Sequence, residues 1–151
     1  MTAQQRRGSS LKEALTKALM EECVGAREVA PGEIAWESSR WRTVVRIAPE
    51  GRSGYERARI WSEPVSGAWP FRTDHLPALN ALAALGGLVP SEDGRHLRLF
   101  SNVPLRHSDP EIADMLGHVA LAAAVLQPLW LDGMNAKMAE AASGGRARGG
   151  N

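Results

Sequence analysis

TDHLPALNALAALGGLVPSEDGRHLRLFSNVPLR, Thr73 to Arg106, is the stretch whose reading decides the fold. Thr73 or Asp74 supplies an N-cap, and Pro77 is tolerable only in the first turn of a helix. Leu76, Leu79, Leu82, Ala83 and Leu85 recur at helical spacing, and Gly86-Gly87 supplies a left-handed stop. Asn80 is a poor helix former in mid-helix, expected to hydrogen-bond to a nearby loop. A strand then starts at Leu88-Val89, turns through Ser91 to Gly94 and returns from Leu97 to Val103. Pro104 ends it, because proline cannot donate to a ladder. Leu97 and Leu99 alternate with Arg98 and Phe100, so this strand is expected to bury parts of both faces. The stretch predicts a helix over 76–86 that plugs a sheet, and a hairpin over 88–103 that extends it.

Upstream lies the rest of that sheet. Ile34 and Trp36 alternate within Glu33 to Glu37. Trp41, Thr43, Val45 and Ile47 share one face, with Arg42, Val44 and Arg46 on the other. A two-residue loop at Ser38-Ser39 would pair Trp36 with Trp41, Ile34 with Thr43 and Glu37 with Arg40. The aromatic pair would be core. The loop Ala48 to Gly54 is turn chemistry, and a third strand runs from Tyr55 to Trp61, with Ala58 and Ile60 inward. Tyr55, Arg57, Arg59 and Trp61 then join Arg42 and Arg46 on the outer face. Ser62 to Arg72, with two prolines and a glycine, reads as a crossover anchored by Trp69 and Phe71.

Before the sheet, Ser10 caps a helix with Glu13 as capping-box partner. Leu11, Leu15, Ala18, Leu19 and Cys23 form its stripe, and Gly25 stops it. Cys23 reads as a small buried hydrophobe. After the sheet, Ser108 to Glu111 (SDPE) is a capping box with proline in the first turn. Ile112, Met115, Leu116, Val119, Ala122, Ala123 and Leu126 follow at helical spacing. Pro128 kinks or ends this helix, unless Leu129 to Ala142 extend it with Met134 and Met138 on one side. It is too apolar for a free surface helix. It is either sandwiched in the core or shared with a second subunit, as in a homodimer through the last helix.

The 151 residues suit one domain, expected over 10–142, between a polar tail at 1–9 and a Gly/Arg-rich tail at 143–151, both expected to be disordered. One cysteine allows no internal disulfide and fits a reducing compartment. No leader-like segment and no uninterrupted apolar run of about 18 residues is present, so a soluble cytoplasmic protein without a membrane partner is expected. Arginine outnumbers lysine fifteen to three, in keeping with a GC-rich bacterial genome. Between Glu37 and Trp61, six arginines face three glutamates, a local charge of +3 against +1 for the whole chain.

Catalytic patterns are missing. His75, His96, His107 and His118 include no pair at ligand spacing, and no second cysteine joins Cys23. Gly51 to Gly54 (GRSG) superficially suggests a nucleophile elbow, but Tyr55 occupies the required glycine and the segment joins strand to strand. No phosphate-cradling glycine loop occurs. Asp109 and Glu111 are explained by capping. The expectation is no enzyme, no metal and no cofactor.

The expected class is therefore α+β, an antiparallel sheet with helices packed on it, in the order α-β-β-β-α-β-β-α. That order, with the stretch ALNALAALGGLVPSEDGRHLRLFSNVPL and the following S-x-x-E helix, resembles the type III secretion chaperone-like superfamily of CesT-type chaperones and YbjN-like proteins. The resemblance covers roughly residues 10–131 and implies frequent dimers and a role in holding a protein partner. This chain is near neutral, with an arginine-rich sheet, where the secretion chaperones are acidic. The expected function is a non-enzymatic adaptor or chaperone-like regulator, with Arg42, Arg46, Tyr55, Arg57, Arg59 and Trp61 as the partner-binding face. The rival is a nucleic-acid module that uses the same arginines on phosphates and the aromatics on bases. A third reading is a small-ligand effector domain.

Overall fold

Two apolar periodicities, one of two residues and one of 3.6, build this fold. The computed structural model describes residues 3–50, 55–65, 87–90 and 97–149, with side chains over 11–48, 56–65, 87–89 and 98–136. The expected helix over 76–86, the anchors Trp69 and Phe71, the turn at 91–94 and the side chain of Tyr55 lie outside the described residues. The described elements are α1 (Ala3–Glu22), β1 (Arg27–Ala30), β2 (Glu33–Ser38), β3 (Trp41–Glu50), β4 (Tyr55–Pro64), β5 (Gly87–Pro90), β6 (Leu97–Pro104) and α2 (Pro110–Gly149). The fold is α+β. Its six strands form one antiparallel sheet in the order β1-β2-β3-β4-β6-β5.

Strand alternation sets the inner face. Ile34, Val45 and Ile60 lie side by side across β2, β3 and β4, and Trp36, Thr43, Ser62 and Leu99 form the next row. α1 lays Leu15, Leu19 and Cys23 on this face, and α2 lays Ala120, Ala123 and Ala124 on it. A second cluster gathers Trp41, Leu88, Leu99 and Leu131. Trp36 and Trp41 are both core, as expected, but they sit in different clusters. The alanines let α2 approach the sheet closely, since interaxial distance follows side-chain size.

Several boundaries differ from the sequence reading. The β2–β3 loop is Ser39-Arg40, one residue later than expected, so Trp36 pairs with Thr43, Ile34 with Val45 and Glu37 with Arg42. Ser39 takes φ 58°, the positive value that a tight hairpin loop needs at its first position. Moving the loop by one residue preserves each strand's parity, so every side chain keeps its predicted face. β1 was not foreseen, because Arg27, Glu28 and Val29 are exposed and leave no buried alternation to read. β4 runs on to Pro64, where Ser62 pairs with Thr43 and Pro64 with Trp41, so the crossover begins later than Ser62.

Gly32 closes the β1–β2 turn at φ 72°, and a Cβ there would lie 2.7 Å from the Ile47 carbonyl oxygen. The Ile47 amide also donates to the Gly32 carbonyl at 2.8 Å. Only glycine meets both demands. Gly25, at φ 79°, follows α1 where its stop was expected.

Both helices exceed their predicted lengths. α1 begins at Ala3 instead of beyond Ser10, since Ala3 to Arg7 are good helix formers that extend an existing nucleus. α2 starts one residue later than Ser108 capping implies: the Asp109 carboxylate accepts the Glu111 amide at 2.9 Å, which puts Pro110 in the first turn. It then passes through Pro128 without stopping and runs for 40 residues, about 60 Å. Propensity does not favour helix over Ser143 to Gly149. That segment continues a helix already nucleated.

Candidate functional site

The outer face of the sheet carries the arginines, and β-pairing fixes their neighbours. One row runs Glu33, Arg46, Arg59, Asn102; the next runs Arg27, Ala35, Val44, Trp61, Phe100, Gly87; a third runs Glu37, Arg42, Glu63. Arg42 therefore sits between two glutamates. Arg46 faces Arg59 across β3 and β4, a like-charge pair that is unfavourable alone. Glu33 lies on the other side of Arg46, with Arg46 Nη2 3.5 Å from Glu33 Oε2.

Trp61 occupies the middle of this face. The Arg46 guanidinium lies 5.2 Å from its ring centroid and that of Arg98 lies 5.4 Å away. Arg46 comes from the side of Arg59, and Arg98, two residues before Phe100, from the opposite end of the row. Arg98 also lies 5.8 Å from the Phe100 ring. Such contacts contribute about 0.5–1 kcal/mol each at exposed positions and more when desolvated. They leave Trp61 only 9% exposed, packed with Ala35 and Val44. The Arg98 Nε is buried without a hydrogen-bond partner, so stacking has displaced hydrogen bonding there.

Of the predicted site residues, Arg42 is exposed, and Arg46, Arg57 and Arg59 are half-buried. Neither Arg57 nor Arg59 is free of partners. Tyr55 lies on β4 opposite Glu50. Arg98, Phe100 and Glu63 belong to the same face and were not singled out from the sequence. The alternation of Arg98 and Phe100 with Leu97 and Leu99 was the signal for two of them.

α2 carries the second surface. Its buried side is Ala113, Ala120, Ala123, Ala124, Gln127, Pro128 and Leu131. Ile112, Met115, Val119, Leu126 and Leu129 point away from the sheet, at 38–61% exposure. These five large apolar residues are thus not sandwiched in the core, whereas Leu131 is fully buried and Leu116, Leu121 and Val125 pack against the core. Pro110–Ala136 is long and apolar enough to cross a membrane by length and composition, and a third of it is buried against the rest of the chain.

Between α2 and the sheet runs a buried polar chain. Thr43 Oγ1 and Ser62 Oγ share a hydrogen bond of 2.8 Å; Ser62 Oγ donates to Gln127 Oε1 at 3.1 Å; Gln127 Nε2 donates to Ser101 Oγ. Every member finds a partner, so the chain fixes the rotation of α2 on the sheet. Nothing in it forms a nucleophile–base pair. Cys23 is buried, and burial first and Glu22 second push its thiol up to about 11. Among the described residues, no three His, Cys, Asp or Glu side chains converge on a common point.

No protein-family model, no curated protein and no solved structure matches this chain.

Proposed function

We propose that this chain is a non-enzymatic, chaperone-like adaptor that holds a protein partner against the outer face of its sheet. The observation that carries this reading is the charge pattern around Trp61. Arg42 is bracketed by Glu37 and Glu63, and Arg46 is answered by Glu33, so the face mixes both signs around an arginine-clamped tryptophan. Arginine is among the residues in which protein interfaces concentrate binding energy, and Arg42 is exposed while Trp61 serves to hold Arg46 and Arg98 in place. A mixed face suits a polypeptide of alternating charge better than a polyphosphate. The resemblance to the chaperone-like superfamily points the same way, and the expected setting is the cytoplasm.

The second reading is a nucleic-acid module. Six outer-face arginines (Arg27, Arg42, Arg46, Arg57, Arg59 and Arg98) support it. Against it, the glutamates offset the field, and Trp61 has little ring surface left for stacking a base. Capture from native lysate by the wild-type chain and by Arg42→Glu separates the two. The adaptor reading expects a protein enriched over a matched control at low salt and lost with Arg42→Glu. No enrichment, together with salt-sensitive binding of a single-stranded oligonucleotide, would replace it with the second reading.

A further inference from the structure

We infer that the outward stripe of α2 is a self-association surface, on which a second copy of the same helix packs antiparallel. This goes beyond the adaptor reading and uses a different surface. The exposed positions Ile112, Met115, Val119, Ala122, Leu126, Leu129, Gly133 and Ala136 follow one another at alternating intervals of three and four residues. That spacing forms the seam along which one helix packs on another as knobs into holes. It lies opposite the alanine side that already holds α2 to the sheet, so the described residues use only one of the two stripes.

Size and large-on-small packing identify the occupant. The five large side chains present about 500 Å² per protomer, so a pair buries about 1,000 Å², where specific interfaces begin. Centring an antiparallel pair on the stripe sets Ile112 against Ala136, Met115 against Gly133, Val119 against Leu129 and Ala122 against Leu126. In the outer two layers a large residue meets a small one. At Gly133 an added Cβ would meet nothing within 4 Å, which leaves room for the partner's Met115. A parallel pair would instead stack Gly133 on Gly133 and Met115 on Met115, so that no large residue would meet a small one in those layers.

Sedimentation of the full chain over a hundredfold concentration range tests this. The expected result is a rise from 16.3 kDa to twice that mass. Leu129→Glu, on an exposed position, should stay monomeric throughout with unchanged circular dichroism, and Met115→Ser should weaken association at least tenfold. A monomeric wild type, or a dimer indifferent to Leu129→Glu, overturns the inference. So does a monomer that pellets with phosphatidylcholine–phosphatidylglycerol vesicles through this stripe, because the occupant would then be lipid. Failure here is separable from failure of the adaptor reading: lysate capture that depends on Arg42 can survive in a monomer, and a dimer can form with nothing captured.

Discussion

The indole Nε1 of Trp41 donates to Oδ1 of Asp132 at 2.6 Å, joining β3 to α2 across 91 positions of sequence. Trp41 is fully buried among Leu88, Leu99 and Leu131, so its N–H needs a partner inside the protein. Asp132 supplies one, four residues after the proline that interrupts the α2 hydrogen-bond ladder. Removing the carboxylate with Asp132→Ala takes that bond away and should cost about 2 kcal/mol of stability. Trp41→Phe loses the bond and part of the ring, and should cost about 3 kcal/mol. Urea unfolding followed by circular dichroism reads both.

Gln127 bridges Ser62 and Ser101 from α2, its amide oxygen accepting from one and its amide nitrogen donating to the other. Gln127→Ala opens a cavity and leaves two serine hydroxyls short of a partner, with an expected loss of about 3 kcal/mol. Replacing the whole polar chain together, with Gln127→Leu, Thr43→Val, Ser62→Ala and Ser101→Ala, removes its polar groups at once and should recover part of that loss. Comparing the two midpoints in urea gives the coupling directly.

Gly32 is held at φ 72° with the Ile47 carbonyl in the place of a side chain. Gly32→Ala should cost about 2 kcal/mol, from backbone strain and the forced shift of β3. Gly25, also at positive φ, has open space around it, so Gly25→Ala carries the backbone strain alone and should cost about 1 kcal/mol. Thermal melts of the pair separate conformational strain from steric contact.

Cys23 holds its proton more tightly when folded, with a pKa of about 11 against 9.0 unfolded. Between those values the unfolded chain gives up the proton first, so stability present below pH 9 declines as pH rises towards 11. Cys23→Ser should flatten that part of the pH–stability curve. Maleimide labelling of the native chain at pH 8 should be slow compared with labelling in urea.

Much of this fold is legible in the residues because burial follows parity. Ile34, Trp36, Thr43, Val45, Ile60 and Leu99 fall on the inner face that their spacing predicts, even where the loop at Ser39-Arg40 moved the pairing by one residue. Arg27 to Ala30 left no such trace, since a short edge strand is held by backbone hydrogen bonds that any exposed residues supply. α2 was legible as a helix and illegible in rotation. Ile112, Met115, Val119 and Leu126 mark a stripe, but the sheet takes the alanines, Gln127 and Leu131 instead, a choice that depends on polar partners from three separate strands. The outer face was read in part. Arg42, Arg46 and Trp61 came from strand alternation, whereas the closing of Arg98 onto Trp61 depends on the β4–β6 register, which no local pattern supplies.

The claim on which the account turns is that α2 faces its own sheet with its alanines, Gln127 and Leu131 and offers Ile112, Met115, Val119, Leu126 and Leu129 to a second copy of the chain. Thiol labelling of Met115→Cys and Ala124→Cys, each in a Cys23→Ser background, tests this most directly. Cys at 124 should label slowly at every protein concentration, while Cys at 115 should label fast in dilute solution and progressively more slowly as concentration rises. Equal protection at both positions in dilute solution would contradict the orientation of α2, and a rate at 115 that never falls would contradict its pairing.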